Sequence, residues 1–390
     1  MRSAMVLFNG VVYLTYASHS DQQPYYGEIL GYDATTLQLV KTFNTTPNDT
    51  GGEAGIWQSG AGPAIDAAGN MYIVTGNGAF DQHTSPNASA TDWGESVLKL
   101  PTNTTGEILV PFSDTTRWFT PSNWSQLNSG DSVNHLPGDR DLGSGGMLLL
   151  PDQTQGNHVH IMVGGGKAGV LYVLDRDRLG GLNPNDSSAI QEIIEPQGTS
   201  LFVTPVYFNG NIYYAPDGGH LEQRQVRFDP VTGNYVSPTA ITSTARAPFK
   251  GAGVFISSNG SSNGVVWTLG NALTAYDATN VTNPIFNANT QVPGVGGQCT
   301  TAKFSLPIAA NGKVYYTCFN GQTNLGYLFV SGLFPSTIGI PAAPSNATAV
   351  ANSSSQITVS WTNNATNQQG FTPIDRHRRW RGRSPGSENR

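Results

Sequence analysis

The chain has 390 residues, of which 12% are charged, and it contains 46 Gly and 24 Pro. That punctuation is too dense for a helical bundle and too sparse for low-complexity disorder, and no apolar run reaches the ~18 residues of a membrane span. The net charge of −6 is uneven: residues 375–390 carry six Arg against Asp375 and Glu388, a local +4, so residues 1–374 hold −10, which argues against nucleic-acid binding.

From the N-terminus, Met1-Arg2-Ser3-Ala4-Met5 shows no apolar signal core and runs straight into a strand pattern. Low charge with abundant Thr, Asn and Ser reads as a β-rich, extracytoplasmic surface, so a start without a signal peptide suggests a chain that has lost its beginning. A glycine turn followed by an aromatic or branched run then recurs six times. It appears at Gly10-Val11-Val12-Tyr13, Gly69-Asn70-Met71-Tyr72, Gly156-Asn157-His158-Val159, Gly210-Asn211-Ile212-Tyr213, Gly264-Val265-Val266-Trp267 and Gly312-Lys313-Val314-Tyr315. The glycine intervals are 59, 87, 54, 54 and 48, the period of a four-stranded propeller blade with longer loops in the second and third units.

A second signal follows each turn: Asp33, Asp175, Asp229 and Asp277 each close an apolar run, and Thr104-Thr105-Gly106 stands at the equivalent place in the second unit. An Asp there caps a tight hairpin by accepting backbone N–H bonds two residues on, a structural role. Helical periodicity is absent. Cys299 and Cys318 have no metal-type spacing and could form one disulfide. From about 335 the composition shifts: residues 335–345 read as a Pro-rich linker, 346–374 as two strands, and 375–390 as a disordered basic tail.

The repeats resemble those of pyrroloquinoline quinone (PQQ) β-propellers, and four stretches are similar to quinoprotein alcohol dehydrogenases. Gly27-Glu28-Ile29-Leu30-Gly31-Tyr32-Asp33 resembles the strand after the family's calcium-ligating glutamate. The ligand would fall on Gln22 without a gap or on Asp21 with a one-residue shift, and calcium's need for anionic oxygen favours Asp21. Gly51-Gly52 to Trp57 resembles the segment whose indole stacks on the quinone, and Thr75-Gly76-Asn77 the one that gives an amide oxygen to the metal. Asp139-Arg140-Asp141-Leu142-Gly143 resembles the segment presenting the catalytic base, which places Asp141 as base and metal ligand. Arg140 stands where the family has Trp, and a cation there would lower the pKa of Asp141. Gly143 replaces the second Asp of lanthanide-dependent members, so calcium is the expected metal. Gly166-Lys167-Ala168-Gly169 to Leu174-Asp175-Arg176 resembles the strand whose leading cation touches the quinone oxygens, a role that passes to Lys167.

The resemblance spans residues 1–334 and implies an all-β, quinoprotein-like propeller of four-stranded blades, about six present of an expected eight. The family's adjacent-cysteine pair is missing. The segment after the linker resembles the opening strands of a fibronectin type III domain, a stub too short to close a sandwich. Two function classes follow. One is a calcium- and PQQ-dependent dehydrogenase of small alcohols or sugars, with Trp57, Asn77 and Lys167 on the cofactor and Asp21, Asn77 and Asp141 on the metal. The other is a non-catalytic extracellular propeller that binds a protein or glycan. A glycoside-cleaving site would draw on Glu53 and Asp139 beside Trp57 but lacks a convincing carboxylate pair.

Overall fold

The computed structural model describes residues 3–19, 21–49, 51–80, 92–129, 138–196, 199–247, 251–288, 304–320, 325–332, 343–353 and 356–364. Its strands follow one another as up-and-down antiparallel sheets. The first sheet holds β1 (Val6–Phe8), β2 (Val11–Tyr16), β4 (Glu28–Asp33) and β5 (Leu39–Asn44); a short β3 (Tyr25–Tyr26) pairs in parallel with β6 (Gly52–Glu53). The second holds β7 (Ala64–Ile65), β8 (Asn70–Val74), β9 (Val97–Pro101) and β11 (Trp118–Phe119), while β10 (Gly106–Glu107) crosses over to pair in parallel with β5.

The third sheet is β12 (Met147–Leu149), β13 (Ile161–Gly165), β14 (Val170–Asp175) and β15 (Gln191–Ile194). The fourth is β16 (Val206–Phe208), β17 (Asn211–Tyr214), β18 (His220–Gln225) and β19 (Ile241–Arg246). The fifth is β20 (Gly253–Asn259), β21 (Ser262–Leu269), β22 (Leu273–Asp277) and β23 (Asn280–Asn287). The sixth is described over three strands, β24 (Ile308–Ala310), β25 (Lys313–Asn320) and β26 (Leu325–Gly332).

Five apolar clusters join these sheets in order. Tyr13, Ile29 and Phe43 meet Met71, Ile73 and Leu98 between the first two. Tyr72, Val74 and Val97 meet Met162 and Tyr172 between the next. Val163 and Val173 then face Ile212 and Tyr214, Tyr213 and Leu221 face Val254 and Val266, and Leu269 and Leu273 face Val314 and Tyr316. Neighbouring residues on one inner strand therefore serve opposite interfaces, as the two-residue period of a strand requires. A sheet buried on both faces needs apolar residues at nearly every inner position, which is why Met71-Tyr72-Ile73-Val74 is continuous rather than alternating. The fold is a β-propeller.

Gly10, Gly69, Gly156, Gly210 and Gly312 lie in the connection between the first two strands of their blades, all at positive φ. The fifth repeat differs. Its hairpin turns at Gly260 (φ 58°), and Gly264 lies inside β21, where an added Cβ would stand 2.3 Å from the Phe208 ring of the preceding blade. Gly264 is thus a packing glycine. The aspartates cap as expected: Asp33 Oδ1 accepts from the backbone of Thr35 and Thr36 (3.0 and 2.7 Å), Asp229 from Val231 (2.9 Å) and Asp277 from Thr279 (2.8 Å). The short helix α1 (Trp124–Ser129) carries no periodic signal because it is only six residues long.

The chain divides into two compact units, Met1–Ser331 and Gly332–Arg390. The second is described as one antiparallel hairpin, β27 (Ser345–Ser353) with β28 (Gln356–Thr362). Most of the Pro-rich stretch, the tail 375–390 and Cys299 lie outside the described residues; Cys318 is disulfide-bonded. Among the described residues no helix is long and apolar enough to cross a membrane.

One buried polar knot ties the third blade to the fourth. The Tyr214 hydroxyl lies 2.7 Å from Glu195 Oε1 and 3.0 Å from Glu222 Oε2. Arg224 Nε donates to Tyr214 and to Glu222 (2.6 and 2.9 Å). Among the described residues Glu195 Oε2 has no hydrogen-bond partner. Burial, and then the neighbouring Glu222, push the Glu195 carboxyl from 4.5 up to about 7. The folded chain therefore holds a proton that the unfolded chain releases across that window, and stability falls as pH rises through it. Glu195→Gln should flatten a difference of about 2 kcal/mol between pH 4.5 and pH 8, read by urea denaturation of both proteins; an unchanged slope would exclude Glu195. Gly264→Ala should lose about 1–3 kcal/mol through the Phe208 clash, and wild-type stability would show that β21 can shift away.

Candidate functional site

In an up-and-down blade the connection from the second strand to the third, and the link from one blade to the next, emerge at the same end. Residues on those segments converge on one face. Asp21 lies on the β2–β4 connection, Asn77 on β8–β9 and Lys167 on β13–β14, while Trp57 and Asp141 lie on the links into the second and third blades. All five line a single cavity of about 440 Å³, together with Tyr25, Glu53, Asp139, Phe202 and Phe304. The last two come from blade links far apart in sequence, and their rings meet at 6.1 Å.

Three backbone segments interlock at the floor. A Cβ on Gly143 would stand 2.5 Å from the Thr75 carbonyl carbon, and one on Gly166 2.3 Å from the Asp141 oxygen. Side chains are thereby excluded at both positions, including any carboxylate at 143. Lys167 N–H donates to the Asp141 carbonyl (3.0 Å). Trp57, 7% exposed, is flanked by two small residues: a Cβ on Gly76 would approach its Nε1 to 2.8 Å, and one on Gly55 to 3.0 Å. Tyr25 meets the indole edge-on at 5.9 Å. The Asn77 amide nitrogen donates to the Leu127 carbonyl at the end of α1 (3.3 Å), which leaves its Oδ1 as an acceptor.

The Asp141 carboxyl is buried, with its side chain 4% exposed, and is ion-paired with Lys167, which also pairs with Asp139. Arg140 does not act on it. The guanidinium of Arg140 donates to the Ala168 carbonyl (3.1 Å), so the cation beside the acid is Lys167. The expected lowering is also reversed: burial outweighs Lys167 and raises Asp141 from 3.8 to about 6. Lys167 itself is pulled down by burial but held net above its ordinary value by Asp141 and Asp139.

Sequence reasoning missed Glu95. It is fully buried behind the Asp141 segment, with Oε2 accepting from Leu142 N–H (2.6 Å) and Oε1 without a hydrogen-bond partner among the described residues. Burial first and Asp141 second hold its carboxyl well above the usual range. The available signal was an acid at the mouth of an apolar strand, Glu95-Ser96-Val97-Leu98. Tyr25, Phe202 and Phe304 had no local signal.

No protein-family model matches the chain, and no curated protein matches it. Among solved structures it is similar to the quinohemoprotein alcohol dehydrogenase ADHIIG from Pseudomonas putida HK5 (16% identity, TM-score 0.44), with 90% of this chain and 63% of that one covered. It is also similar to BamB from Moraxella catarrhalis (13%, TM-score 0.38; 90% and 80% covered). A third is a europium-containing methanol dehydrogenase (13%, TM-score 0.35; 85% and 61% covered). The chain thus spans less than two thirds of either dehydrogenase. The propeller fold stands on the sheet order and the five interfaces.

Removing the Lys167 ammonium would strand a buried carboxylate. Lys167→Met should lose about 2–3 kcal/mol at pH 8. The loss should shrink at pH 5, where Asp141 is already neutral. Urea denaturation at the two pH values checks this, and equal losses would refute the pairing.

Proposed function

We propose that the cavity is the cofactor and substrate site of a quinoprotein-type dehydrogenase acting on an alcohol or sugar hydroxyl. The observation that supports this most directly is the convergence of Asp21, Trp57, Asn77, Asp141 and Lys167, drawn from three blades, on one cavity. The donors fit a calcium–PQQ pair. Asp21, Asn77 Oδ1 and Asp141 are hard oxygen donors suited to calcium, and the glycine-flanked indole of Trp57 suits a planar ring. When bound, the pair would supply a Lewis acid and a two-electron acceptor.

The chain's own residues supply the rest. Asp141, ionised above about pH 6, takes the proton of the substrate hydroxyl. Lys167 holds that carboxylate in place from the second side and offers an ammonium to negative charge that develops beside it. Phe202 and Phe304 limit the water that reaches the floor.

A second reading, a non-catalytic propeller for a protein or glycan, is favoured by one observation. Among the described residues no group of three His, Cys, Asp or Glu is arranged to hold a metal. We further propose that residues 1–334 form the propeller, that 335–345 link it to a fibronectin III-like segment at 346–374, and that the protein is extracytoplasmic. The β27–β28 hairpin and the bonded Cys318 support this.

Four lining carboxylates face one lysine, so a tricarboxylate cofactor should bind only when calcium adds positive charge. A visible-absorption titration with PQQ should saturate with calcium and fail with chelator. Absence of saturable binding in both would eliminate the dehydrogenase and leave the binding module. Asp141→Asn should then cut dye reduction by about 100-fold or more, and unimpaired turnover would refute the base.

A further inference from the structure

The charge of the cavity goes beyond what the dehydrogenase chemistry uses. Its lining carries Asp21, Glu53, Asp139 and Asp141 against Lys167. Lys167 is committed to Asp139 and Asp141, and the proposed metal takes Asp21. Glu53 remains. Among the described residues it meets no cation: its Oε1 accepts from the neutral Gln23 amide. It is held in place by the parallel pairing of Tyr26 with Glu53. Its neighbours are aromatic, because Tyr25 precedes Tyr26 on the same strand and packs edge-on against Trp57.

The negative field is shared across the cavity. The Tyr25 hydroxyl is pushed up by burial and then by Glu53, Asp21, Asp141 and Asp139 together. Another part of the lining shows how it receives an ammonium. Lys167 Nζ sits between two carboxylates and 6.0 Å from the Phe202 ring centroid. Carboxylate and aromatic face together are the combination that binds alkylammonium groups, because the ring quadrupole attracts a cation that has shed much of its water.

We propose that the cavity selects alcohols bearing a positive ammonium group, with Glu53 as counter-charge and Tyr25 as the aromatic wall. This rests on the reading of the cavity as the substrate site and names the class of substrate. A neutral sugar would leave Glu53 buried against it without a partner charge. A cationic alcohol gains one, and would place its hydroxyl deeper, toward Asp141.

The test uses the full chain without calcium or quinone, so that it is independent of cofactor loading. Calorimetric titration with choline should saturate, and choline should bind at least tenfold tighter than tert-butylethanol, its uncharged isostere. Choline binding should weaken as sodium chloride rises, while the isostere stays unaffected. Glu53→Gln should lower choline affinity about tenfold without lowering calcium-dependent PQQ binding. Equal binding of the two alcohols by the wild-type chain would overturn the proposal, as would no saturable choline binding or an unaffected Glu53→Gln variant. Choline discrimination without any PQQ binding would keep this site and remove the dehydrogenase. PQQ binding without discrimination would do the reverse.

Discussion

In the second to fifth blades the inner strands are buried on two faces, and that constraint organises the rest. Tyr213 packs toward the fifth blade and Tyr214 toward the third; Met71 and Ile73 pack toward the first while Tyr72 and Val74 face the third. Apolar surface buried at ~25 cal/mol per Å² on both sides of these four sheets supplies the driving force. It also leaves the chain few places for polar groups. They must sit at the outer strands, in paired knots such as Glu195–Tyr214–Glu222–Arg224, or at the strand ends. Polar chemistry is thereby concentrated where the connections from several blades meet.

At that meeting point geometry and electrostatics depend on each other. Gly143 and Gly166 let three backbones touch, and this proximity brings Asp141, Lys167 and Glu95 into one field. Desolvation raises both acids: Asp141 rises to about 6 against the pull of Lys167, and Glu95 behind it is held well above the usual carboxylate range. Burial and a single ammonium thus act together on two carboxyl groups in one neighbourhood.

The blades were legible because their turns need glycine at positive φ and their hairpins need a capping Asp, both strictly local demands. Gly264 was misread because a glycine required for close packing against Phe208 is indistinguishable, in sequence, from one required for a turn. The five residues that meet at the cavity were singled out through a resemblance carried by short stretches in the right order, not through any pattern of charge or period. Arg140 misled because adjacency in sequence says little about which way a long side chain turns, and it turns to Ala168. Phe202 and Phe304 lie about a hundred residues apart, and nothing local marks either as part of a cavity wall. Glu95 was visible only as an anomaly.

The crossing of β10 onto β5 has a consequence for how copies of this protein meet one another. The outermost strand of a blade exposes a row of unpaired N–H and C=O groups that can template pairing with another chain. In the first blade that row is partly occupied by Gly106 and Glu107 from the second blade, at the cost of leaving the second blade's own outer edge to the two-residue β11. The molecule thus blunts two edges with one short excursion: one is covered, the other too brief to recruit a partner. Its tendency to aggregate edge to edge is lowered on that side, and the covering strand brings the exposed Glu107 with it.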